Sequence, residues 1–426
     1  MTIMSGKNES LWTVPFVLDT GINLLVFLIY YLLMVIIAVV AKDELGATAS
    51  EAGLAVGIYI IGTVVARIFT GRFVGALGCR KILYGGLLLY LISTVLYFYI
   101  PNILVLDTVR FINGFAYGIT STATSTIVAT IIPKSRRGEG INYYGLSLSL
   151  AAAIGPFLGI LMLSFTSFRV IVAFCVILVV VCIVGAFLLR FEEPQFSAAI
   201  REEEKGLKLS DYLEPRVNSI SLVSVLVGLS YSGILGFMAS FTREAGLVEA
   251  GTLFFIVYAV VITLTRPVLG IVFDRHGENC VLYPCFIFLA VGIVLLSLAA
   301  NSWTVLLAAV FVGLGYGTYM SNGQAVVIKM VPVYRIGVAT STYFIALDLG
   351  LGVGPYLLGA WKEQVGFSGM FLTTAAIAIV SLGCYFLFYG RLVGTDKDPA
   401  LKAQAEDEAV KKRVLTRDGT PDEVVK

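Results

Sequence analysis

The chain has 426 residues, of which 58% are hydrophobic and 14% charged, and its mean hydropathy is +0.91. A soluble domain is about one quarter charged, so this composition excludes an ordinary water-soluble globular protein and points to a bilayer. A net charge of +2 leaves no basic surplus for a nucleic-acid partner.

The start, from Met1 to Glu9, lacks the short apolar core and small-residue cleavage site of a secretory leader, and the apolar run beginning near Phe16 is long enough to be a full span. Apolar length and punctuation predict spans at roughly 15–40, 52–71, 82–100, 104–130, 140–163 and 169–190. A second set follows at roughly 217–241, 249–272, 279–300, 304–330, 338–361 and 367–390. Backbone groups in hydrocarbon must be satisfied within their own element, and the runs are too long for barrel strands. The expected fold is therefore an all-α membrane protein with twelve transmembrane helices.

Those helices come as two copies of one half. Between the second and third spans lies Arg67-Ile-Phe-Thr-Gly71-Arg72-Phe-Val-Gly75-Ala76-Leu-Gly78-Cys-Arg80-Lys81. An offset of 199 residues lays it on Arg266-Pro-Val-Leu-Gly270-Ile-Val-Phe-Asp274-Arg275-His276-Gly277. The same offset pairs Gly114 with Gly313, Tyr117 with Tyr316, Pro133 with Pro332, Arg136 with Arg335, and Gly155-Pro156 with Gly354-Pro355. Repeats of this kind read as two pseudo-symmetric six-helix bundles. The organisation is a first bundle (1–190), a linker (191–216), a second bundle (217–392) and a charged tail (393–426).

One set of short loops holds Arg72, Arg80, Lys81, Lys134, Arg136, Arg137, Arg275 and Arg335, and the alternate set holds Lys42, Arg243 and Lys362, with Arg169 at a span end. The positive-inside rule makes the first set cytoplasmic, with both termini inside and the protein multi-pass in the plasma membrane. The linker, with Glu202-Glu203-Glu204-Lys205, and the tail from Thr395 read as solvated segments. Six scattered cysteines show no metal spacing and read as small apolar packers, and His276 reads as a solvated loop residue. No metal or cofactor is expected.

Twelve helices with Gly-x6-Gly basic hairpins after the second and eighth resemble the major facilitator superfamily, from about residue 12 to 392. The family's loop pattern is a Gly, an Asp with a basic neighbour, a second Gly and a basic pair. The second copy keeps Gly270, Asp274, Arg275 and Gly277; the first keeps Gly71, Gly78, Arg80 and Lys81 but has Gly75 and Ala76 at the acid and base. The resemblance implies that Asp274 latches against the opposite half at the cytoplasmic side. Two further stretches resemble the drug/proton antiporter branch: Arg110-Phe-Ile-Asn113-Gly114-Phe-Ala-Tyr117-Gly118 on the fourth span, and Gly145 with Gly155-Pro156-Phe-Leu-Gly159 on the fifth. Because Gly354-Pro355 repeats the Gly-Pro pair, part of that second pattern belongs to the duplication rather than to export.

Charge inside a span costs about 2.5–3.5 kcal/mol on insertion scales, so it marks a partner or a task. Asp348 lies about ten residues into span eleven, on the order of 15 Å from its cytoplasmic end, and replaces Ser149 of the first half. Spans two and eleven meet between the halves in the family, so the expected partner of Asp348 is Arg67, with the carboxylate's proton occupancy setting the strength of the clamp. Arg266 is the twin of Arg67. Arg110, in the outer third of span four, has Asp107 as its plainest partner and a central cavity, enclosed in the family by spans one, four, seven and ten, as its alternative setting. Asp19 reads as an interfacial residue. Pro156 and Pro355 each remove a backbone bond and offer bends for rocking or packing. The proton-coupling and gating set is thus Asp348, Arg110, Arg67, Arg266, Asp274, Arg275, Gly155, Pro156, Gly354 and Pro355.

The candidate cavity lining is Asn23, Phe27, Tyr30, Asn113, Tyr117, Tyr231, Tyr316, Tyr319, Asn322 and Gln324. Apolar walls with a few amides and hydroxyls suit an amphipathic organic molecule. With no acid at cavity depth on span one, a strictly cationic cargo is disfavoured. The leading expectation is a monomeric, proton-coupled exporter of a small organic compound; a proton symporter importing a metabolite and a transporter-derived sensor or scaffold are the alternatives. No G-x4-G-K-[ST] loop supports a nucleotide-driven pump, and no nucleophile–base pair supports an enzyme.

Overall fold

The computed structural model describes residues 10–47, 49–192 and 212–418. Twelve helices in it are long and apolar enough to cross a membrane. The first six are α1 (Val14–Leu45), α2 (Ala49–Leu77), α3 (Cys79–Leu96), α4 (Ile103–Ile131), α5 (Arg137–Phe165) and α6 (Phe168–Leu188). The second six begin with α7 (Asn218–Glu244), α8 (Val248–His276), α9 (Asn279–Ser297) and α10 (Ser302–Lys329). The run Ile336–Tyr385 is broken at Gly366 (φ +71°), separating α11 (336–365) from α12 (367–390). A further helix, α13 (Pro399–Asp418), follows.

Local sequence sets the ends, and it does so twice. Asn102 caps α4 by accepting from the Val105 N–H at 3.0 Å, and 199 residues on Asn301 caps α10 by accepting from Thr304 at 3.0 Å. Gly78 (φ +87°) and Gly277 (φ +85°) turn the two basic hairpins in a conformation that a side chain would strain. Within the first half, α2 crosses α4 so closely that a Cβ on Gly114 would run into the Tyr59 backbone. The Gly-Pro segments act inside each half as well: a Cβ at Gly155 would lie 2.7 Å from Tyr31 Cβ on α1, and one at Gly354 would lie 2.6 Å from Ser232 Cβ on α7.

Each bundle has its own apolar core, one running from Ile22 to Leu189 and the other mainly from Val217 to Tyr389. The second core also takes in Leu11, Phe16, Ile132 and Tyr144 of the first half, so the halves share apolar contact at the end that carries the basic hairpins. Large apolar side chains such as Leu88, Phe187 and Leu264 are exposed, as hydrocarbon-facing positions are.

Two segments expected to be solvated are anchored at that basic end. In the linker, the Arg72 guanidinium donates to the Tyr212 hydroxyl at 2.5 Å, and Glu214 pairs with Arg335 at 2.6 Å; Glu202, Glu203, Glu204 and Lys205 lie outside the described residues. On α13, Glu406 accepts from the Tyr334 hydroxyl (2.6 Å) and pairs with Arg216 (3.1 Å), while Asp407 accepts from the Val333 N–H (3.0 Å) and lies 3.6 Å from Lys134 of the first half. The charges of the tail are spaced to meet loop groups of both bundles, which outcompetes full solvation.

Candidate functional site

Two seams join the halves, α2 against α11 and α5 against α8. In the first, Arg67 and Asp348 form an ion pair at 2.5 Å; the arginine side chain is 5% exposed and the aspartate 21%. The Arg67 guanidinium also lies 4.8 Å over the Phe344 ring, and its backbone carbonyl accepts from Ser341 Oγ at 2.8 Å. The partnership expected from the sequence is therefore a direct contact.

In the second seam Asp274 accepts from the N–H groups of Gly138 (2.7 Å) and Glu139 (2.8 Å), in the first turn of α5. These donors have no intrahelical acceptor, and the positive end of the helix dipole favours a carboxylate there. One turn deeper, Asn142 Nδ2 donates to Asn322 Oδ1 at 2.9 Å across the halves. Asn322 thus fastens the seam in this conformation. Arg275, beside Asp274, is exposed. All of these bonds lie toward the basic end, which is shut.

Away from that end the walls are aromatic. Tyr30 stacks on Tyr117 (5.0 Å) and packs on Tyr31 and Tyr59, with Phe27 edge-on to Tyr117 at 5.3 Å. Opposite, Tyr231 stacks face to face on Tyr316 at 3.8 Å, with Tyr258 at 5.9 Å. Tyr316 sits in a π-helical turn, Gly313–Gly317, which interrupts α10 where the equivalent stretch of α4 is regular. Tyr31, Tyr59 and Tyr258 were not singled out from the sequence. Tyr59 and Tyr258 are related by the 199-residue offset, as Tyr117 and Tyr316 are, and that offset is the signal that finds them.

Several expectations are corrected. Arg110 makes no ion pair with Asp107. Fully buried, it donates to the carbonyls of Ala55 (2.9 Å) and Val56 (3.5 Å) on α2 and covers the Tyr59 ring at 4.5 Å. Those carbonyls hold the guanidinium turned toward α2, and Nη1 has no hydrogen-bond partner. Asp19, expected to face the interface, is fully buried within the protein, and neither carboxylate oxygen has a partner. It precedes by one turn a polar cluster in which Asn23 donates to Ser147 (2.7 Å) and accepts from Thr124 (3.2 Å). Asn113 faces α3, donating to Ser93 (2.9 Å) and Thr94 (3.2 Å), and Tyr319 bonds Ser224 of α7 at 2.8 Å, so both serve intra-bundle packing. Gln324 is buried with its Nε2 unpartnered.

Arg266, the twin of Arg67, is 1% exposed and has a single hydrogen bond, from Nη2 to the Gly317 carbonyl at 3.3 Å. Its Nε and Nη1 have none, and among the described residues no carboxylate lies within ion-pair distance. A Cβ on Gly145 of α5 would stand 2.5 Å from Nη1, so this guanidinium of the second half presses on the backbone of the first.

Comparison with known proteins agrees with this architecture. The chain is 23% identical over 351 residues to the uncharacterized MFS-type transporter MJ1560 of Methanocaldococcus jannaschii, covering 81% of this chain and 90% of the relative. It is 24% identical over 348 residues to the MFS-type transporter YhhS of Escherichia coli, covering 80% and 84%. Among solved structures it superposes on the human organic anion transporter MFSD10 with a TM-score of 0.71 at 15% identity, covering 87% of this chain and 98% of that one. On the E. coli fucose:proton symporter FucP the TM-score is 0.67 at 16% identity, covering 88% and 98%. The family model described as Major Facilitator Superfamily matches residues 20–260 and 220–420, and the chain belongs to that family of membrane transporters.

Proposed function

We propose that this transporter exports a small amphipathic organic compound in exchange for protons, by alternating access, with the Asp348–Arg67 pair as its proton-sensitive clamp. One observation carries the reading: a carboxylate and a nearly buried guanidinium meet across the two halves, at a seam that must part for the basic end to open. Protonating Asp348 removes the charge that holds Arg67, so proton uptake weakens closure at that end. One proton moving down 100 mV supplies about 2.3 kcal/mol, enough for a roughly fiftyfold gradient of cargo per charge. The positive-inside rule puts the basic end in the cytoplasm, and the aromatic walls beyond the seam suit an apolar body with few polar groups.

Inside-out vesicles with an acidified lumen test this. A cargo added outside makes an antiporter release lumenal protons, read as recovery of a pH-dye signal, and Asp348→Asn abolishes that recovery while leaving cargo exchange. Unchanged proton release in Asp348→Asn overturns the assignment. The fold likeness to a sugar:proton symporter supports a second reading, uptake by symport, in which cargo added to the same face releases no lumenal protons.

A further inference from the structure

The repeat leaves one deep guanidinium without its counter-charge. Arg67 of α2 meets Asp348 of α11; the offset that carries Arg67 to Arg266 carries Ser149 to Asp348, so the α5–α8 seam has the deep guanidinium but its carboxylate, Asp274, lies at the rim on backbone amides rather than beside Arg266. Arg266 is nevertheless as deeply buried as its twin, with two of its three nitrogens unpartnered. A buried charge left without its partner is costly, so its retention asks for another counter-charge. Its one acceptor, the Gly317 carbonyl, follows Tyr316 directly in the chain, and Tyr316 stacks on Tyr231 at 3.8 Å with Tyr258 5.9 Å from Tyr231. Gly145 of the first half lies against Nη1, so the group stands where the first half meets the aromatic cluster of the second.

We infer that Arg266 is a binding site for the acidic group of the cargo, and that the cargo is an organic carboxylate whose apolar or aromatic body lies against Tyr31, Tyr231, Tyr258 and Tyr316. The ligand supplies at the α5–α8 seam the charge that Asp348 supplies at the α2–α11 seam. An inorganic anion would satisfy the guanidinium but leave the stacked ring walls without a partner. The substrate class rests on the transporter reading; the anion site itself does not.

The test is binding to the purified full-length protein in detergent, followed by thermal unfolding, with phenylacetate, phenylacetamide and phenethylamine as a matched anionic, neutral and cationic series. Phenylacetate is expected to raise the unfolding midpoint, with the amide and the amine binding more weakly by roughly tenfold or more. Arg266→Gln abolishes the preference. Ser149→Asp, which installs the missing carboxylate in the chain, also abolishes it and keeps the test decisive if Arg266→Gln does not fold. Absence of any preference for the carboxylate in the native protein, or a preference that survives Ser149→Asp, overturns the inference. Accumulation of the amine but not the carboxylate in vesicles refutes the anionic cargo and leaves the transporter reading standing. Selective binding without proton-linked flux does the reverse.

Discussion

Replacement of Asp348 by Asn offers the most direct test of how the basic end is held shut. The substitution keeps the shape of the side chain and removes the charge from a pair in which Arg67 is 5% exposed. Measured couplings for close charge pairs at interfaces run from about 1.5 to 7 kcal/mol. Asp348 is still 21% exposed, so water screens part of the attraction and the low end applies. A loss of about 2 kcal/mol changes the closed-to-open ratio roughly thirtyfold. Spin labels at Leu77 and Arg275, both exposed at the basic ends of α2 and α8, report the separation of the halves in a cysteine-free background. Native protein should move toward the longer distance as pH falls and Asp348 takes up its proton, whereas Asp348→Asn should start there and respond less. The double variant Arg67→Met/Asp348→Leu should close again and lose the response, since apolar replacement of a buried pair is often neutral or stabilising. Distance distributions in Asp348→Asn that track the native ones across pH would refute the clamp.

Other seams yield smaller or purely structural effects. Asp274→Ala strands the N–H groups of Gly138 and Glu139, at a cost of about 1–3 kcal/mol, and should raise maleimide labelling of a cysteine placed at position 142. Removal of residues 396–426 deletes the contacts of Glu406 and Asp407 with Arg216, Tyr334, Val333 and Lys134. Partly exposed pairs contribute roughly 0.2–1 kcal/mol each, so the same labels should show a shift of only a few-fold toward the open distance. Gly114→Ala drives a methyl into the Tyr59 backbone and should lower stability by about 1–3 kcal/mol, read as the thermal midpoint in detergent.

The fold was legible because the bilayer imposes a coarse rule on sequence, and every one of the twelve spans read from apolar length overlaps a helix of the structure. Charge in the wrong solvent is equally legible: Asp348 stands out, and its partner follows from the juxtaposition of spans two and eleven that the family resemblance implies. The misreadings share a physical cause. Apolar length does not report which way a helix is rotated, so it does not reveal that Asn113 turns to Ser93 of α3 or that Asn322 meets Asn142 across the halves. Sequence proximity misled at Arg110, where backbone carbonyls of another helix replace the carboxylate three residues away. Asp19 misled because a position near the end of a span says nothing about the packing around it.

Duplication built the scaffold, and the departures from it hold the charge chemistry. The offset places Asp274 on Gly75, Arg275 on Ala76, Asp348 on Ser149 and Arg110 on Ala309. Each seam therefore keeps one carboxylate, at a different depth: Asp274 at the rim of α5–α8, bound to backbone amides, and Asp348 deeper in α2–α11, bound to an arginine. A carboxylate held by neutral amides at the end of a helix loses two hydrogen bonds when the seam parts, and the amides can turn to water. A carboxylate facing a buried guanidinium leaves that charge stranded, so its release must be matched by a proton or another ion. In the proposed mechanism the rim latch sets how tightly the end closes, and the deep pair sets what must bind before it opens. On the proposed exchange reading, perfectly symmetric repeats would make both seams respond to the same ion at the same depth, with nothing to order proton and cargo.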